Sequence, residues 1–192
     1  SHGTTLDDIL RLVAAVRRRT SIPIILMGYY NPFFKFGLEQ FTRQAAQAGV
    51  DGVLVVDLPP EEASEMKCFA DRAGLNLIFL LAPTSGPERI DRIVRQASGF
   101  IYYVSLTGVT GVRPVLDRTI RRQIATIRKK SSLPIGVGFG ISTPEHAKTV
   151  ARWSDAVVVG SAIIKIISQC RSTEETLQKA GNFIRTLKRA MQ

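Results

Sequence analysis

Six short, strongly apolar runs alternating with helical patterns constrain this chain more than any other feature. They occupy residues 22–29, 52–59, 76–83, 100–108, 133–140 and 156–162. Most have a near-continuous β-branched or aromatic centre, such as Val53-Leu54-Val55-Val56 or Ala156-Val157-Val158-Val159. A strand that is apolar on both faces has to be covered on both faces, the situation of a parallel sheet flanked by helices.

The intervening segments carry the other period. Leu6, Ile9, Leu10, Val13 and Val16 lie on one helical face, as do Ile90, Ile93, Val94 and Ala97. Met66, Phe69, Ala70 and Ala73 form a third such face, closed by Gly74 where a helix C-cap is favoured. Ile120, Ile124 and Ile127 predict a helix from about Asp117. Thr143-Pro144-Glu145 combines an N-cap, a first-turn proline and an acidic first turn. Ser172-Thr173-Glu174-Glu175 reads as a capping box ahead of Leu177, Ala180, Ile184, Leu187 and Met191. Strand followed by helix, repeated six times at 23 to 33 residues, leaves an open doubly wound sheet or a (β/α) barrel. The even repeat favours the barrel. The dinucleotide fingerprint is missing, because Gly136-Val137-Gly138-Phe139-Gly140 is followed by Ile141 where the third glycine belongs.

Composition narrows the function classes. No apolar run approaches the roughly 20 residues of a membrane span, and Ser1-His2-Gly3-Thr4-Thr5 does not read as a signal peptide. Cys68 and Cys170 cannot build a disulfide framework, and two histidines, His2 and His146, argue against an all-protein zinc site. A reducing, cytoplasmic setting is the default, or a plastid were the source a plant. The net charge of +10, from 26 Lys and Arg against 16 Asp and Glu, is scattered in small groups such as Arg17-Arg18-Arg19 and Lys129-Lys130. These groups sit near the ends of helical patterns, where cations are favoured. No basic stripe is interleaved with aromatics, so neither nucleic acid nor a membrane is the expected partner.

In a barrel, chemistry collects where strands end and helices begin. Gly138-Phe139-Gly140-Ile141-Ser142 and Gly160-Ser161-Ala162 follow the fifth and sixth runs. Side by side, they suit a phosphate held on backbone N–H groups. The alternative is that the glycines only make tight turns and Ser161 only caps its helix. The loop 105–114, with two glycines and several hydroxyls, suits a mobile lid over a site, the alternative being a long surface loop. Asp57, closing the second run, either faces the mouth for proton chemistry or anchors neighbouring backbone N–H groups. Tyr29, Tyr30 and Asn31 end the first run, and Tyr102 either points into the barrel or is a core tyrosine. Asp155 precedes its strand and so lies on the wrong face for catalysis. His146 is expected to face solvent.

Taken together, Tyr29-Tyr30-Asn31-Pro32, Val53 to Pro59, Tyr102 to Gly111, Gly138 to Ser142 and Gly160-Ser161-Ala162-Ile163 resemble the tryptophan synthase alpha chain family across all 192 residues. The resemblance implies an α/β fold, the TIM (β/α)8 barrel. It also implies a lyase of tryptophan biosynthesis that cleaves indole-3-glycerol phosphate to indole and glyceraldehyde 3-phosphate by a retro-aldol route. The family needs no cofactor or metal of its own, pyridoxal phosphate belonging to the beta chain with which it forms an αββα heterotetramer. Residue by residue, Gly111, Gly140, Gly160 and Ser161 resemble the phosphate ligands. Leu54, Leu80, Phe139 and Tyr102 resemble the indole pocket. Thr110 resembles the hydroxyl that closes over the site, and Asn31, Asp57 and Pro59 resemble the mouth near the beta-chain contact.

The resemblance also implies a partial barrel: one domain over 1–192, running from the helix before the third family strand to the C-terminal helix. Six of the eight βα units are represented, and the family's catalytic glutamate and aspartate lie on the two units upstream of Ser1. This span by itself is therefore expected to be inactive. Two other readings remain. One is a non-catalytic remnant that binds phosphate or modulates a beta chain. The other is a different phosphate-binding barrel, such as an indole-glycerol-phosphate synthase or an epimerase, against which residues 107–111 and Asp57-Leu58-Pro59 argue.

Overall fold

The computed structural model describes residues 3–104, 114–138 and 140–192, with 114–119 described by backbone alone. Its contacts divide the chain into two compact units, Ser1–Leu80 with Pro87–Phe100, and Leu81–Gly86 with Ile101–Gln192.

The first unit holds α1 (Leu6–Arg17), β1 (Ile25–Gly28), α2 (Tyr30–Phe36), α3 (Leu38–Ala48), β2 (Gly52–Val55), α4 (Ser64–Ala73), nearly all of β3 (Asn76–Leu81), and α5 (Pro87–Gln96). β1, β2 and β3 are parallel neighbours, with Met27 opposite Leu54 and Leu54 opposite Ile78. All of β2 is buried, as its uninterrupted apolar sequence requires. α1 opens on a reciprocal capping box: Asp8 N–H donates to Thr5 Oγ1 at 3.2 Å and Thr5 N–H to Asp8 Oδ2 at 2.9 Å. The Thr5 hydroxyl and N–H, aided by Arg11, hold the Asp8 carboxyl down at about 2. Gly74 ends α4 in the left-handed region (φ 71°), where a Cβ would be strained, so the C-cap expected from sequence is present. α2 and α3 have no counterpart among the helices expected above. Pro32 and Gly37 interrupt the pattern, yet Phe33 and Phe41 bury their rings with centroids 4.4 Å apart, and that burial stabilises both helices.

The second unit holds β4 (Ile101–Val104), α6 (Pro114–Arg128), β5 (Ile135–Gly138), α7 (Pro144–Ala151), β6 (Ala156–Val158), α8 (Ser161–Ser168) and α9 (Thr173–Ala190). β4, β5 and β6 are again parallel, with Tyr102 opposite Gly136 and Gly138 opposite both Val104 and Val158. α6 starts at Pro114, ahead of Asp117, because proline has no N–H to lose and its φ is already helical at a first position. Thr143 caps α7 by accepting His146 N–H at 3.2 Å, and Ser172 caps α9 by accepting Glu175 N–H at 3.1 Å.

At the strand starts the two units repeat one device. Asp51, just before β2, accepts Ile24 N–H at 2.7 Å and pairs with Arg17 from the end of α1. Asp155, just before β6, accepts Ile135 N–H at 2.8 Å and pairs with Arg128 from the end of α6 at 2.9 Å. Partial burial alone would raise the Asp155 carboxyl, but the Ile135 N–H and the Arg128 guanidinium outweigh it and hold the group below its ordinary value. Asp155 therefore has a structural role at the end of the strand away from the loops that leave it. Arg17 and Arg128 are likewise structural, each held in an ion pair at a helix end.

Candidate active site

Alternation along the strands sorts the candidate side chains by face. In the second unit Tyr103 reaches α6, where its hydroxyl donates to Gln123 Oε1. Tyr102 therefore points away from that helix, on the same face as Gly136, Gly138 and Val158. Its ring lies across the end of β5: a Cβ on Gly138 would come within 2.5 Å of Tyr102 Oη and 2.9 Å of Val158 Cβ. Tyr102 is buried, and burial pushes its hydroxyl pKa up. It is thus a tyrosine packed on glycine, and the glycine is what makes room for the ring.

Two turns leave this end of the sheet from neighbouring strands. Since Gly138 pairs with Val158, Gly140 and Gly160 each lie two residues beyond a registered pair. Gly140 takes φ 71°, a left-handed conformation that glycine adopts without strain. Gly160 is the N-cap residue of α8 and supplies no side-chain cap. Its carbonyl accepts Ile163 N–H at 3.0 Å and Ile164 N–H at 3.2 Å, so the N–H groups of Ser161 and Ala162 head the helix. Ser161 is the first helical residue and is exposed; the alternative in which it caps α8 does not hold, because the N-cap position is occupied by Gly160. Among the described residues nothing lies within 4 Å of a Cβ built on Gly160, so they leave the approach to this helix end open. Chemically, open N–H groups at the positive end of a helix beside a glycine turn can take an anion. Gly111, Thr110 and Phe139, and the loop 105–113, lie outside the described residues.

In the first unit the corresponding junction is filled. Asp57 accepts Tyr30 N–H at 2.6 Å, so its carboxylate occupies the start of α2, whose own N-cap Tyr29 contributes no side-chain bond. Of the two roles open to Asp57, anchoring a backbone N–H is the one observed. Asn31 is exposed on the first turn of the same helix. Asp57, Pro59 and Leu80 contribute to one cavity of about 270 Å³ with Phe79 and with Arg89 and Ile93 of α5. By alternation Phe79 and Leu80 point to opposite faces of β3, Leu80 on the face of Ile78 and, through the register, of buried Leu54.

Other side chains fall away from these junctions. Contrary to expectation His146 is half-buried, with its Nδ1 shut off from solvent and without a protein partner. Cys170 donates its S–H to the Ile166 carbonyl at 3.1 Å, and Cys68 is exposed. Among the described residues no group of three or more His, Cys, Asp or Glu side chains could hold a metal, and no helix is long and apolar enough to cross a membrane. The carboxylates with displaced pKa values, Asp8, Glu145, Asp155 and Glu175, all move downward and stay charged. None is tuned as a general acid. The sequence reading missed the part of Gly138 beneath Tyr102 and the Tyr103–Gln123 contact. Alternation hinted at the first; no local signal marks the second.

Comparison with known proteins completes the description. A crystal structure of the tryptophan synthase alpha chain of Legionella pneumophila subsp. pneumophila matches 99% of this chain and 71% of its own length, at 39% identity and a TM-score of 0.89. A structure from the tryptophan synthase a2b2 complex of Pyrococcus furiosus matches 97% of this chain and 75% of its own, at 36% identity and a TM-score of 0.86. In sequence, the Citrifermentans bemidjiense tryptophan synthase alpha chain is 53% identical over 191 residues, which are 100% of this chain and 71% of that one. The Geotalea uraniireducens chain is 54% identical over 186 residues, 97% of this chain and 69% of that one.

The molecule is thus a TIM (β/α)8-barrel protein of the lyase class, with six of the eight βα units represented in this chain. The family profile of the tryptophan synthase alpha chain matches residues 1–192, and the chain belongs to that family. The family's reaction in tryptophan biosynthesis is the cleavage of indole-3-glycerol phosphate to indole and glyceraldehyde 3-phosphate.

Proposed function

We propose that the second unit supplies the phosphate end of this lyase site, with Gly140, Gly160 and Ser161 holding the substrate dianion mainly on backbone N–H groups, joined by Gly111. The single observation that carries this is the registered pair of turns after β5 and β6, one left-handed at Gly140 and one opening α8 without a side-chain cap. By the family resemblance Leu54, Leu80, Phe139 and Tyr102 are assigned to the indole wall, and Thr110 to closure over the bound substrate. Anchoring the phosphate fixes the rest of the substrate for reaction, converting binding energy into orientation.

Retro-aldol cleavage also needs a proton delivered to indole C3 and protons removed from the ring nitrogen and the glycerol hydroxyl. Asp57 is committed to Tyr30 N–H, and the displaced carboxylates are held charged, so these steps are assigned to the family's glutamate and aspartate, which the resemblance sets ahead of Ser1. Residues 1–192 alone bind phosphate without turning substrate over. Asn31, Asp57 and Pro59 form part of the contact with a beta chain in an αββα assembly, which carries the pyridoxal phosphate; the alpha chain uses no cofactor, and the setting is cytoplasmic.

Calorimetric titration of this chain with glyceraldehyde 3-phosphate tests the phosphate site directly; saturable binding, lost on crowding Gly160, is expected. Absence of binding overturns the assignment. Indole release by the chain extended to the length of its relatives, with beta chain present, tests the catalytic reading. If beta-chain serine turnover responds while no indole is released, the modulating role is the correct one.

A further inference from the structure

Behind Tyr102 the second unit carries a hydrogen-bonded relay that no step above uses. Tyr103 is 1% exposed and sends its hydroxyl to Gln123 Oε1 on α6. Gln123 Nε2 in turn donates to the Pro83 carbonyl at 2.7 Å. The direction is chemically forced. A carbonyl can only accept, so the amide turns its NH₂ to Pro83 and keeps its oxygen for the tyrosine. Burial pushes the Tyr103 hydroxyl up to about 12, so it remains a donor at any working pH. Pro83 sits in a turn that closes on itself: Ala82 N–H donates to Ser85 Oγ at 3.0 Å and Ser85 N–H to the Ala82 carbonyl at 2.9 Å.

We propose that Gln123 is a positioning residue for the lyase reaction, pinning β4 to the turn after β3 and thereby setting the place of Tyr102. This rests on the reading of Tyr102 as a substrate-facing wall. The ring has no slack, since a single added carbon on Gly138 would meet it at 2.5 Å. A small shift of β4 therefore moves the ring and loosens the wall it offers to the substrate, which weakens binding more than it slows the chemistry. An apolar side chain at 123 fills space but leaves both the Pro83 carbonyl and the Tyr103 hydroxyl without this partner, which is why a bifunctional amide is needed there.

The discriminating variant is Gln123→Glu, which keeps length and shape. In its charged form the new carboxylate still accepts from Tyr103 but offers no hydrogen to Pro83. In its protonated form one oxygen donates to Pro83 while the other still accepts. In the full chain with beta chain present, KM for indole-3-glycerol phosphate relative to wild type is expected to rise about tenfold at pH 8 and to return to within about twofold as pH falls below 6. The kcat ratio moves less. Gln123→Met, which can bridge nothing, shows a rise that does not titrate. Amide exchange at Ser85, compared with wild type at each pH, follows the same titration. Because the readout is the reversible titration of one folded variant, a general loss of fold cannot imitate it. A KM ratio that is flat with pH in Gln123→Glu overturns the proposal, as does an unchanged KM while Ser85 loses protection. A wild-type chain that cleaves no substrate strikes the proposed function itself, and this inference falls with it; wild-type cleavage with a flat variant profile strikes this inference alone.

Discussion

The starts of α2 and α8 solve the same problem in opposite ways. Both helices follow a parallel strand almost at once, and neither N-cap residue, Tyr29 or Gly160, contributes a side-chain bond. At α2 the carboxylate of Asp57, carried in from the next βα junction, takes the Tyr30 N–H. At α8 no side chain among the described residues does so, and none of their atoms lies within 4 Å of a Cβ built on Gly160. A carboxylate and a phosphate are interchangeable as partners for a helix N-terminus. The difference therefore separates a junction stabilised from within from the one to which the proposed function assigns the phosphate.

The strongest way to break the contrast is to make the second junction resemble the first. Gly160→Asp meets no described atom within 4 Å, but the backbone at 160 (φ −117°, ψ −84°) is not the extended one a capping side chain uses, so its carboxylate is expected to add little stability. The same carboxylate repels the substrate dianion, with an expected loss of at least about 100-fold in affinity for the phosphate substrate. Calorimetry and thermal melts on the one variant measure both, and tighter phosphate binding would refute the assignment.

Next in size is Gly138→Ala. The added Cβ meets Tyr102 Oη at 2.5 Å and Val158 Cβ at 2.9 Å, so an overpacking cost of about 1–3 kcal/mol is expected, read as a lowered urea midpoint. An unchanged midpoint would mean that the ring is free to leave β5.

Asp57→Ala sharpens the other side of the comparison. It removes the acceptor at Tyr30 and should cost about 1 kcal/mol of stability while leaving phosphate affinity unchanged. A change in phosphate affinity would show that the two junctions are not independent.

The smallest expected effect is a pH dependence. The folded-state pKa of Asp155 lies below its unfolded value of 3.8, so its contribution is fully present above that value and fades as pH falls through the lower folded pKa. Asp155→Asn should flatten that part of the stability profile below about pH 5, measured by urea unfolding across the acid range. Half-exposure and salt screening keep the effect modest.

Much of this was legible in the residues. The apolar runs at Val53 and Ile135 became buried strands because no other arrangement covers both faces of such a run. Thr143 and Ser172 announced their helices, since a cap acts within a few residues of itself. α3 could have been found from Leu38, Phe41, Thr42 and Ala45, whose spacing is helical. Gly140 and Gly160 were legible as candidate phosphate turns because they follow consecutive strands at the end where this fold collects its ligand sites. His146 was misjudged because its burial depends on what packs over α7, which the local sequence does not state.

Residues close in sequence thus determined the period, the caps, the parallel βα order and the family to which the chain belongs, because those properties depend on neighbours a few positions away. Tertiary structure alone decided that Asp57 serves Tyr30, that Tyr102 rests on Gly138, and that Gln123 joins Tyr103 to Pro83. Each of those contacts spans 20 to 40 positions, and only the packing of strands and helices can set which groups meet across such a distance.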